Sequence, residues 1–208
     1  MQQIFITATG TGMGKTFVTA ALARQLRARC EKVIAIKPII TGWDDGENTD
    51  TKILMKACGM TDVAACSPWR FTAPLAADMA AASEGRKIDF TEVVAFCNRP
   101  FPGTKLIEGA GGVMSPVSAG KTFLDLIKAV GGEVILVTGS YLGSISHTLT
   151  ALEVLTGLEV RVVINESENS EVPLEETAKS IANFTNAPIT ILYRCKSWQD
   201  APDLTELL

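Results

Sequence analysis

A glycine-rich segment near the start of the chain carries residue types that bind phosphate. Residues 9–16 read Thr-Gly-Thr-Gly-Met-Gly-Lys-Thr, between an apolar stretch and a segment with helical periodicity. Glycines let successive backbone N–H groups turn toward an anion, and the start of a helix adds partial positive charge. A lysine and a threonine ending such a loop reach the outer phosphates and Mg²⁺. We therefore predict a nucleoside triphosphate site that includes Gly12, Met13, Gly14, Lys15, Thr16 and Phe17.

The loop departs from the strict P-loop motif, because Thr9 stands where that motif has its first glycine. A dinucleotide-binding fingerprint would need a glycine at position 15, where this sequence has a lysine. A glycine-rich turn without a ligand is the remaining alternative. The predicted strand before the loop and the helix after it favour a modified P-loop.

Two carboxylates are candidate ligands of a magnesium ion, which usually takes one or two such groups from the protein. Glu108 closes an apolar run and precedes Gly-Ala-Gly-Gly, whose small residues let a phosphate or metal approach the backbone. Asp50 lies near a predicted helix start, where an aspartate is often an amino-terminal cap. Glu108 and Thr16 therefore predict a Mg²⁺ site, while spacing alone leaves the role of Asp50 open.

Lys37 ends another apolar run and directly precedes a proline. A buried ammonium group is costly without an anionic partner. A second cation beside the outer phosphate suits phosphoryl transfer, in which positioning and charge stabilisation dominate catalysis. The alternative is a structural ion pair between Lys37 and a carboxylate such as Asp50.

The elements that must position these residues alternate along the chain. Apolar runs, typical of strands buried on both faces, occupy residues 3–8, 33–37, 104–108, 133–138, 160–165 and 188–192. Their alternation with helical segments predicts an α/β fold: a doubly wound, mostly parallel sheet flanked by helices, in one domain over residues 1–208. Ligands of such sheets bind beyond the carboxyl ends of the strands, where Lys37, Glu108, Thr138 and Asn165 would converge.

Helical periodicity is clearest in residues 15–29 and 143–156. The least regular part, residues 44–99, is predicted to leave the sheet, with helices near residues 49–58 and 75–84.

Composition excludes several classes of protein. The 208 residues carry 19 Lys plus Arg against 23 Asp plus Glu, a net charge of −4, which disfavours a nucleic-acid partner. No apolar stretch is long enough to predict a membrane span. The five cysteines form no C-x-x-C pair, and this pattern predicts reduced thiols in the cytoplasm rather than disulfides or a zinc site.

Taken in order, these motifs resemble those of the dethiobiotin synthetase family. The likeness is carried by residues 8–16, 36–42, 48–50 and 108–112, and it continues through 71–74, 84–86, 142–147 and 165. The most specific part of the likeness is the Lys-Pro segment in residues 36–42, together with the order in which the other motifs follow it. Three positions depart from the family pattern, which commonly has a glycine at Ala8, an acidic residue at Gly12 and an asparagine at Ser146. Residues 193–196 also differ, because they stand where the family often has a proline-containing loop that binds the base.

The resemblance implies a P-loop NTPase fold and an ATP- and Mg²⁺-dependent ligase. Its reaction would convert 7,8-diaminononanoate and CO₂ into dethiobiotin, ADP and phosphate. Lys15 and Lys37 would neutralise charge on the transferring phosphoryl group as catalytic residues. The metal would be held by Thr16, Asp50 and Glu108.

The resemblance also implies the remaining contacts. The glycine-rich turn Gly109, Ala110 and Gly111 would border the nucleotide, and Asn165 would contact its base. The resemblance further implies a homodimer with the substrate site at the subunit interface. The substrate would be contacted by Thr11, Lys37, Thr41, Gly111, Leu142 and Ser146.

Three other kinds of protein with a similar phosphate-binding loop are alternatives to a dethiobiotin synthetase. A nucleotide-switch ATPase of the chromosome-partitioning type would carry a signature lysine where this sequence has Gly10. An amidoligase of the cobyrinate-diamide type would need a glutamine-handling domain that 208 residues do not include. A homologue that binds ATP without synthetase activity is the third.

Overall fold

The alternating strands and helices assemble into a central sheet covered on both faces. The protein is described by a computed structural model, which places residues 2–168 and 171–208. In chain order its elements are β1 (Gln2–Ala8), α1 (Lys15–Ala28), β2 (Val33–Ile36), β3 (Ile39–Thr41), α2 (Asp50–Cys58), α3 (Val63–Cys66), β4 (Trp69–Phe71), α4 (Ala77–Ser83), α5 (Phe90–Cys97), β5 (Thr104–Glu108), β6 (Pro116–Ser118), β7 (Lys121–Thr122), α6 (Phe123–Val130), β8 (Glu133–Gly139), α7 (Ser144–Val154), β9 (Val160–Asn165), α8 (Leu174–Ala182) and β10 (Ile189–Leu192), followed by two 3₁₀ turns, Trp198–Asp200 and Thr205–Leu207.

The six predicted strands are the six strands of the central sheet. Their order is β10-β9-β8-β1-β5-β2, and every neighbouring pair is parallel. The predicted doubly wound parallel fold is therefore confirmed. Strand order reverses beside β1, whose neighbours β5 and β8 both come from later in the chain. The carboxyl ends of β1 and β5 consequently meet near the middle of the sheet, at the position where ligands bind in this architecture.

Successive side chains of the strands point to opposite faces, and each face has its own apolar core. Ile4 and Ile6 of β1 pack on one face with Leu22 of α1 and with residues of α2. Phe5 packs on the other face with the apolar sides of α4, α5 and α6, including Phe123. Burial on both faces explains why the strands read as continuous apolar runs.

The irregular stretch contains more structure than was predicted. Its two predicted helices are α2 and α4, and it leaves the central sheet as expected. It also holds α3, α5 and a small parallel sheet in which β3 pairs with β4. Helices α6 and α8 were likewise not predicted. The start of α6 carries a capping box, in which Thr122 and Asp125 exchange hydrogen bonds, so a local signal was present.

Two cysteines occupy the outer edge of β2, the strand that leads to Lys37. The Ala35 N–H donates to Cys58 Sγ at 3.1 Å, and Cys66 Sγ donates to the Ala35 carbonyl. The Lys37 N–H then donates to the Cys66 carbonyl at 3.1 Å. Burial raises the pKa of Cys58 to about 12, so its thiol stays protonated. These contacts hold the edge strand in place and fix the backbone from which Lys37 extends.

Within residues 2–168 and 171–208, none of the helices combines the length and apolar character needed to cross a bilayer.

Candidate active site

The loop between β1 and α1 has the backbone of a phosphate cradle. Gly12 and Gly14 have φ of 76° and 94°, in the left-handed region that side chains rarely adopt. A Cβ atom at Gly14 would also collide with the amide of Asn165. Helix α1 begins at Lys15 directly after the loop, with its unpaired N–H groups toward the cleft. The predicted strand, loop and helix are thus present.

Lys15 is buried, and its ammonium group is held by two carbonyls. Its Nζ donates to the Gly10 carbonyl at 3.1 Å and to the Gly111 carbonyl at 2.7 Å. Burial, assisted by the neighbouring Lys37 charge, lowers the pKa of Lys15 to about 8. Without a ligand, this cation has no carboxylate in direct contact among the described residues. An anionic phosphate would supply the missing charge.

Lys37 has the opposite environment. Its ammonium donates to Asp50 and, at 2.8 Å, to Glu108 Oε1, and Thr16 Oγ1 donates to the same Glu108 oxygen at 2.7 Å. Burial by itself would lower the pKa of Lys37, but the two carboxylates outweigh it and raise that pKa. The Lys37 ammonium in turn overcomes the effect of burial on Asp50 and lowers its pKa. The predicted carboxylates and Lys37 therefore form one cluster.

The cluster fits a metal ion. Glu108 is 0% exposed, and its second oxygen, Oε2, has no hydrogen-bond partner among the described residues. A buried carboxylate oxygen without a hydrogen-bond partner destabilises the fold, and coordination of a metal ion would supply the missing partner. Thr16, Asp50 and Glu108 supply only oxygen donors, the set that Mg²⁺ prefers. The Lys37 ammonium shows that this pair of carboxylates accepts a cation.

In front of the cluster lies a cleft of about 740 Å³, large enough for a nucleotide tail and a small substrate. Ten of the predicted site residues line it: Thr11, Gly12, Gly14, Lys15, Thr16, Lys37, Thr41, Asp50, Ala110 and Gly111. Gly109 lies beneath it, where a Cβ atom would approach the rings of Phe5 and Phe123 at 3.3 Å. The tertiary structure thus brings together residues from four separate parts of the sequence.

Other predicted residues lie away from this cleft. Leu142 and Ser146 line a second cavity of about 640 Å³ beside α7 and α8, and Leu142 is 92% exposed. Asn165 flanks the other side of the loop, where its amide donates to the Met13 carbonyl at 3.2 Å. Phe17 packs against the α1 face of the core. Within one subunit, the substrate contacts implied for Leu142 and Ser146 are therefore not assembled.

Two walls of the cleft are formed by residues that the sequence did not mark as functional. One wall is formed by residues 74–77 at the start of α4, and another by Phe123 and Ser115. These residues carry no charge and stand in no phosphate or metal motif, so their types gave no signal. Ser115 follows the Gly-Ala-Gly-Gly turn by three residues, and that proximity was the one available clue.

His147, the single histidine, lies outside the cleft. Its Nδ1 shares a hydrogen bond of 2.9 Å with the Tyr141 hydroxyl on the exposed side of α7. It borders a third cavity beside Thr9 and Met114.

A parallel sheet with a phosphate-binding loop after its central strand, and an acidic cluster facing that loop, defines the class of P-loop nucleotide-binding proteins. Solved structures share this fold. The signal recognition particle receptor FtsY from Elizabethkingia anophelis superposes with a TM-score of 0.58 at 15% identity, over 97% of this chain and 61% of the receptor chain. The MinC:MinD cell division complex of Aquifex aeolicus gives a TM-score of 0.58 at 14% identity, over 94% of this chain and 83% of that one. At these identities the likeness concerns the fold alone.

Sequence comparison identifies the family within this class. A family described as an AAA domain matches residues 2–192. The ATP-dependent dethiobiotin synthetase BioD of Methylobacterium nodulans is 43% identical, over 93% of this chain and 94% of its own. The synthetase of Acidiphilium cryptum is 42% identical over 90% of both chains. The chain belongs to the dethiobiotin synthetase family and is a ligase, so the family predicted from the motifs is confirmed.

Proposed function

We propose that this protein catalyses the ATP- and Mg²⁺-dependent carboxylation and ring closure of 7,8-diaminononanoate with CO₂, giving dethiobiotin, ADP and phosphate. Family membership supports the overall reaction. The observation that carries it for this chain is the buried Lys37, joined to Asp50 and Glu108 in front of the phosphate loop. A binding protein that only senses nucleotide would not need a second buried lysine at that point.

The proposed reaction has three steps. One substrate amine adds to CO₂ and loses a proton, which gives a carbamate. A carbamate oxygen attacks the γ-phosphorus of ATP and the bond to ADP breaks, leaving a carbamic-phosphoric anhydride. The second amine then attacks the carbamate carbon and loses a proton, which closes the cyclic urea as the bond to phosphate breaks. Because both nucleophiles belong to one bound molecule, effective molarity supplies much of the rate.

The residues of the cleft have distinct roles in this proposal. Lys15 and Lys37 stabilise negative charge on the transferring phosphoryl group, where preorganised cations are most effective. Lys37 also contacts the carbamate. Thr11, Thr41 and Gly111 contact the substrate near its amines. Gly12, Gly14 and Thr16 bind the phosphates with the backbone N–H groups that start α1.

Thr16, Asp50 and Glu108 would hold Mg²⁺. When bound, the ion would neutralise phosphate charge and orient the nucleotide. The two carboxylates take two of the three Lys37 N–H donors, which leaves the third for a phosphate oxygen. Glu108 would keep its hydrogen bond from Thr16 Oγ1, which preserves its orientation.

The remaining contacts extend beyond one subunit. We propose a homodimer of single-domain subunits, residues 1–208, in which Leu142 and Ser146 of one subunit complete the substrate site of the other. The exposure of Leu142 supports this arrangement. Met13, Phe17, Ala110 and Asn165 would border the nucleotide, with Asn165 at its base. We place the reaction in the cytoplasm, where ATP is available and thiols stay reduced.

The test is substrate-dependent phosphate release. With ATP and Mg²⁺ present, we expect release only when diaminononanoate and bicarbonate are supplied together, with dethiobiotin formed in equal amount. Lys37→Ala should reduce the rate at least about a hundredfold while ADP binding stays within a few-fold. The exposed Lys87→Ala serves as the matched control and should behave as wild type. ATP hydrolysis that depends on neither diaminononanoate nor bicarbonate would overturn the proposal and favour a nucleotide-switch ATPase.

A further inference from the structure

We propose that Ser115 is a positioning residue, which fixes the peptide group between Gly111 and Gly112 and thereby orients Lys15 for phosphoryl transfer. This inference rests on the proposed function and adds a residue to its machinery.

Both ends of one peptide group are held by side chains. The Gly111 carbonyl accepts a hydrogen bond from Lys15 Nζ at 2.7 Å. The Gly112 N–H, on the opposite edge of the same peptide plane, donates to Ser115 Oγ at 2.8 Å. Because the peptide is planar, fixing the direction of its N–H also fixes the direction of its carbonyl. The Ser115 hydroxyl therefore acts on Lys15 through a rigid unit.

This peptide needs an external restraint. It joins two glycines, and Gly111 has φ of 70°, so backbone sterics alone permit rotation of the group. Ser115 Oγ also lies close to Gly111, so a Cβ atom at position 111 would collide with it. A glycine at this position lets the hydroxyl approach the turn closely.

Ser115 is itself anchored by its backbone. Its N–H donates to the Gly112 carbonyl at 2.9 Å, and its carbonyl accepts from the Phe123 N–H, at the start of α6, at 3.0 Å. The serine is half-buried and lines the cleft. Its hydroxyl thus points from a fixed backbone rather than from a free loop.

The consequence for Lys15 follows from its three N–H donors. The Gly10 and Gly111 carbonyls take two of them, which leaves the third for a phosphate oxygen. If the peptide reversed, the Gly112 N–H would face the ammonium group and repel it. Loss of the Ser115 hydroxyl should therefore misplace the lysine in the step where its position matters most.

The experiment compares Ser115→Ala with Ser115→Thr, which keeps the hydroxyl, and with Ser118→Ala as a control on the adjacent β6. We expect Ser115→Ala to lower kcat about tenfold, with KM for ATP and ADP affinity changed less than about threefold. Ser115→Thr should keep kcat within about twofold of wild type, and Ser118→Ala should change neither parameter. Wild-type kcat in Ser115→Ala would overturn the proposal. So would a loss of kcat matched by an equal rise in ADP Kd and a lower Tm.

A second readout does not depend on turnover. In the ¹⁵N-labelled protein without nucleotide, the Gly112 amide should exchange with solvent faster in Ser115→Ala, while Ser115→Thr retains protection. An unchanged exchange rate of the Gly112 amide in Ser115→Ala would overturn the proposal that Ser115 fixes this peptide group. If wild type makes no dethiobiotin, the proposed function fails, whereas the exchange result still decides the role of Ser115 toward the peptide.

Discussion

At the scale of single residues, two buried lysines in one cleft differ because their partners differ. Lys15 is held by carbonyls, which solvate a cation but do not neutralise it, and its pKa falls to about 8. Lys37 is held by two carboxylates, and its pKa rises. Lys15 is therefore the cation whose charge is uncompensated before the nucleotide binds. The same burial that makes it a strong phosphate ligand makes it costly in the free protein.

This cost can be measured as stability. In protein free of nucleotide and metal, Lys15→Met should raise the free energy of unfolding near pH 7, with an upper bound of about 3 kcal/mol from the lowered pKa. The lysine of the unfolded chain has a pKa of 10.5, so between pH 8 and 10.5 the unfolded state binds more protons. Wild-type stability therefore recovers as pH rises through this window. The advantage of the variant should shrink by about half at pH 9.5.

Urea unfolding at pH 7 and pH 9.5 checks this prediction. Lys87→Met, at an exposed lysine, is the control and should show no such convergence with wild type. If Lys15→Met were less stable than wild type at both pH values, the lysine would be a net stabiliser and its burial would not be costly.

At the scale of elements, the start of α2 sets the position of Asp50. Asp50 is the first residue of this helix, and the preceding Thr49 caps it by accepting a hydrogen bond from the Lys52 N–H. An aspartate in the first turn also interacts favourably with the helix dipole. The sequence left two roles for Asp50 open, a helix-end residue or a metal ligand. In the structure Asp50 is the first residue of α2, and its carboxylate accepts a hydrogen bond from the Lys37 ammonium.

The cap of α2 gives a test of this coupling. Thr49→Ala should cost about 1 kcal/mol of stability and raise the Mg²⁺ concentration needed for half-maximal activity several-fold. Asp89→Ala removes the cap of α5, away from the site, and should cost similar stability with no change in Mg²⁺ requirement. Glu108→Gln is the positive control for a raised requirement. An unaltered Mg²⁺ titration in Thr49→Ala would show that the cap does not position Asp50.

At the scale of the whole molecule, the cleft and the α7 surface are separate parts of one subunit. Leu142 lies in the loop before α7 and is 92% exposed, whereas Lys37 is buried at the cleft. Single exposed apolar residues are common on protein surfaces, and the exposure of Leu142 leaves it accessible to a partner. The homodimer in the proposed function gives this leucine a role, since symmetry would place it against the cleft of the other subunit.

Complementation tests the shared site. Lys37→Ala and Leu142→Asp proteins should each be nearly inactive toward diaminononanoate. When they are mixed and allowed to exchange subunits, one of the two sites in each mixed dimer regains both residues, and activity should return to about a quarter of wild type. No recovery, despite subunit exchange seen by mass spectrometry, would place each complete site within one subunit.

Much of this protein could be predicted from local patterns. The P-loop, the existence of the six strands and helix α1 follow from short motifs, apolar runs and helical periodicity, which are visible in the chain itself. Helices α5, α6 and α8 were not predicted, although they are no shorter than α4 and the capping box at the start of α6 was a local signal. Ser115 was missed because a serine in a loop has no distinguishing pattern.

The sequence by itself determined which groups are available: a phosphate loop, two lysines at strand and helix ends, and carboxylates able to hold a metal. Only the tertiary structure decided which of them meet. Lys37 and Glu108 are 71 positions apart, and they touch because β2 and β5 are adjacent parallel strands with their carboxyl ends at one edge. Leu142 precedes α7 and Ser146 lies within it; both are away from the cleft because β8, which leads to them, lies on the opposite side of β1 from β5. Contact across a sheet depends on strand order, which is set by the packing of the whole chain and not by any local run of residues.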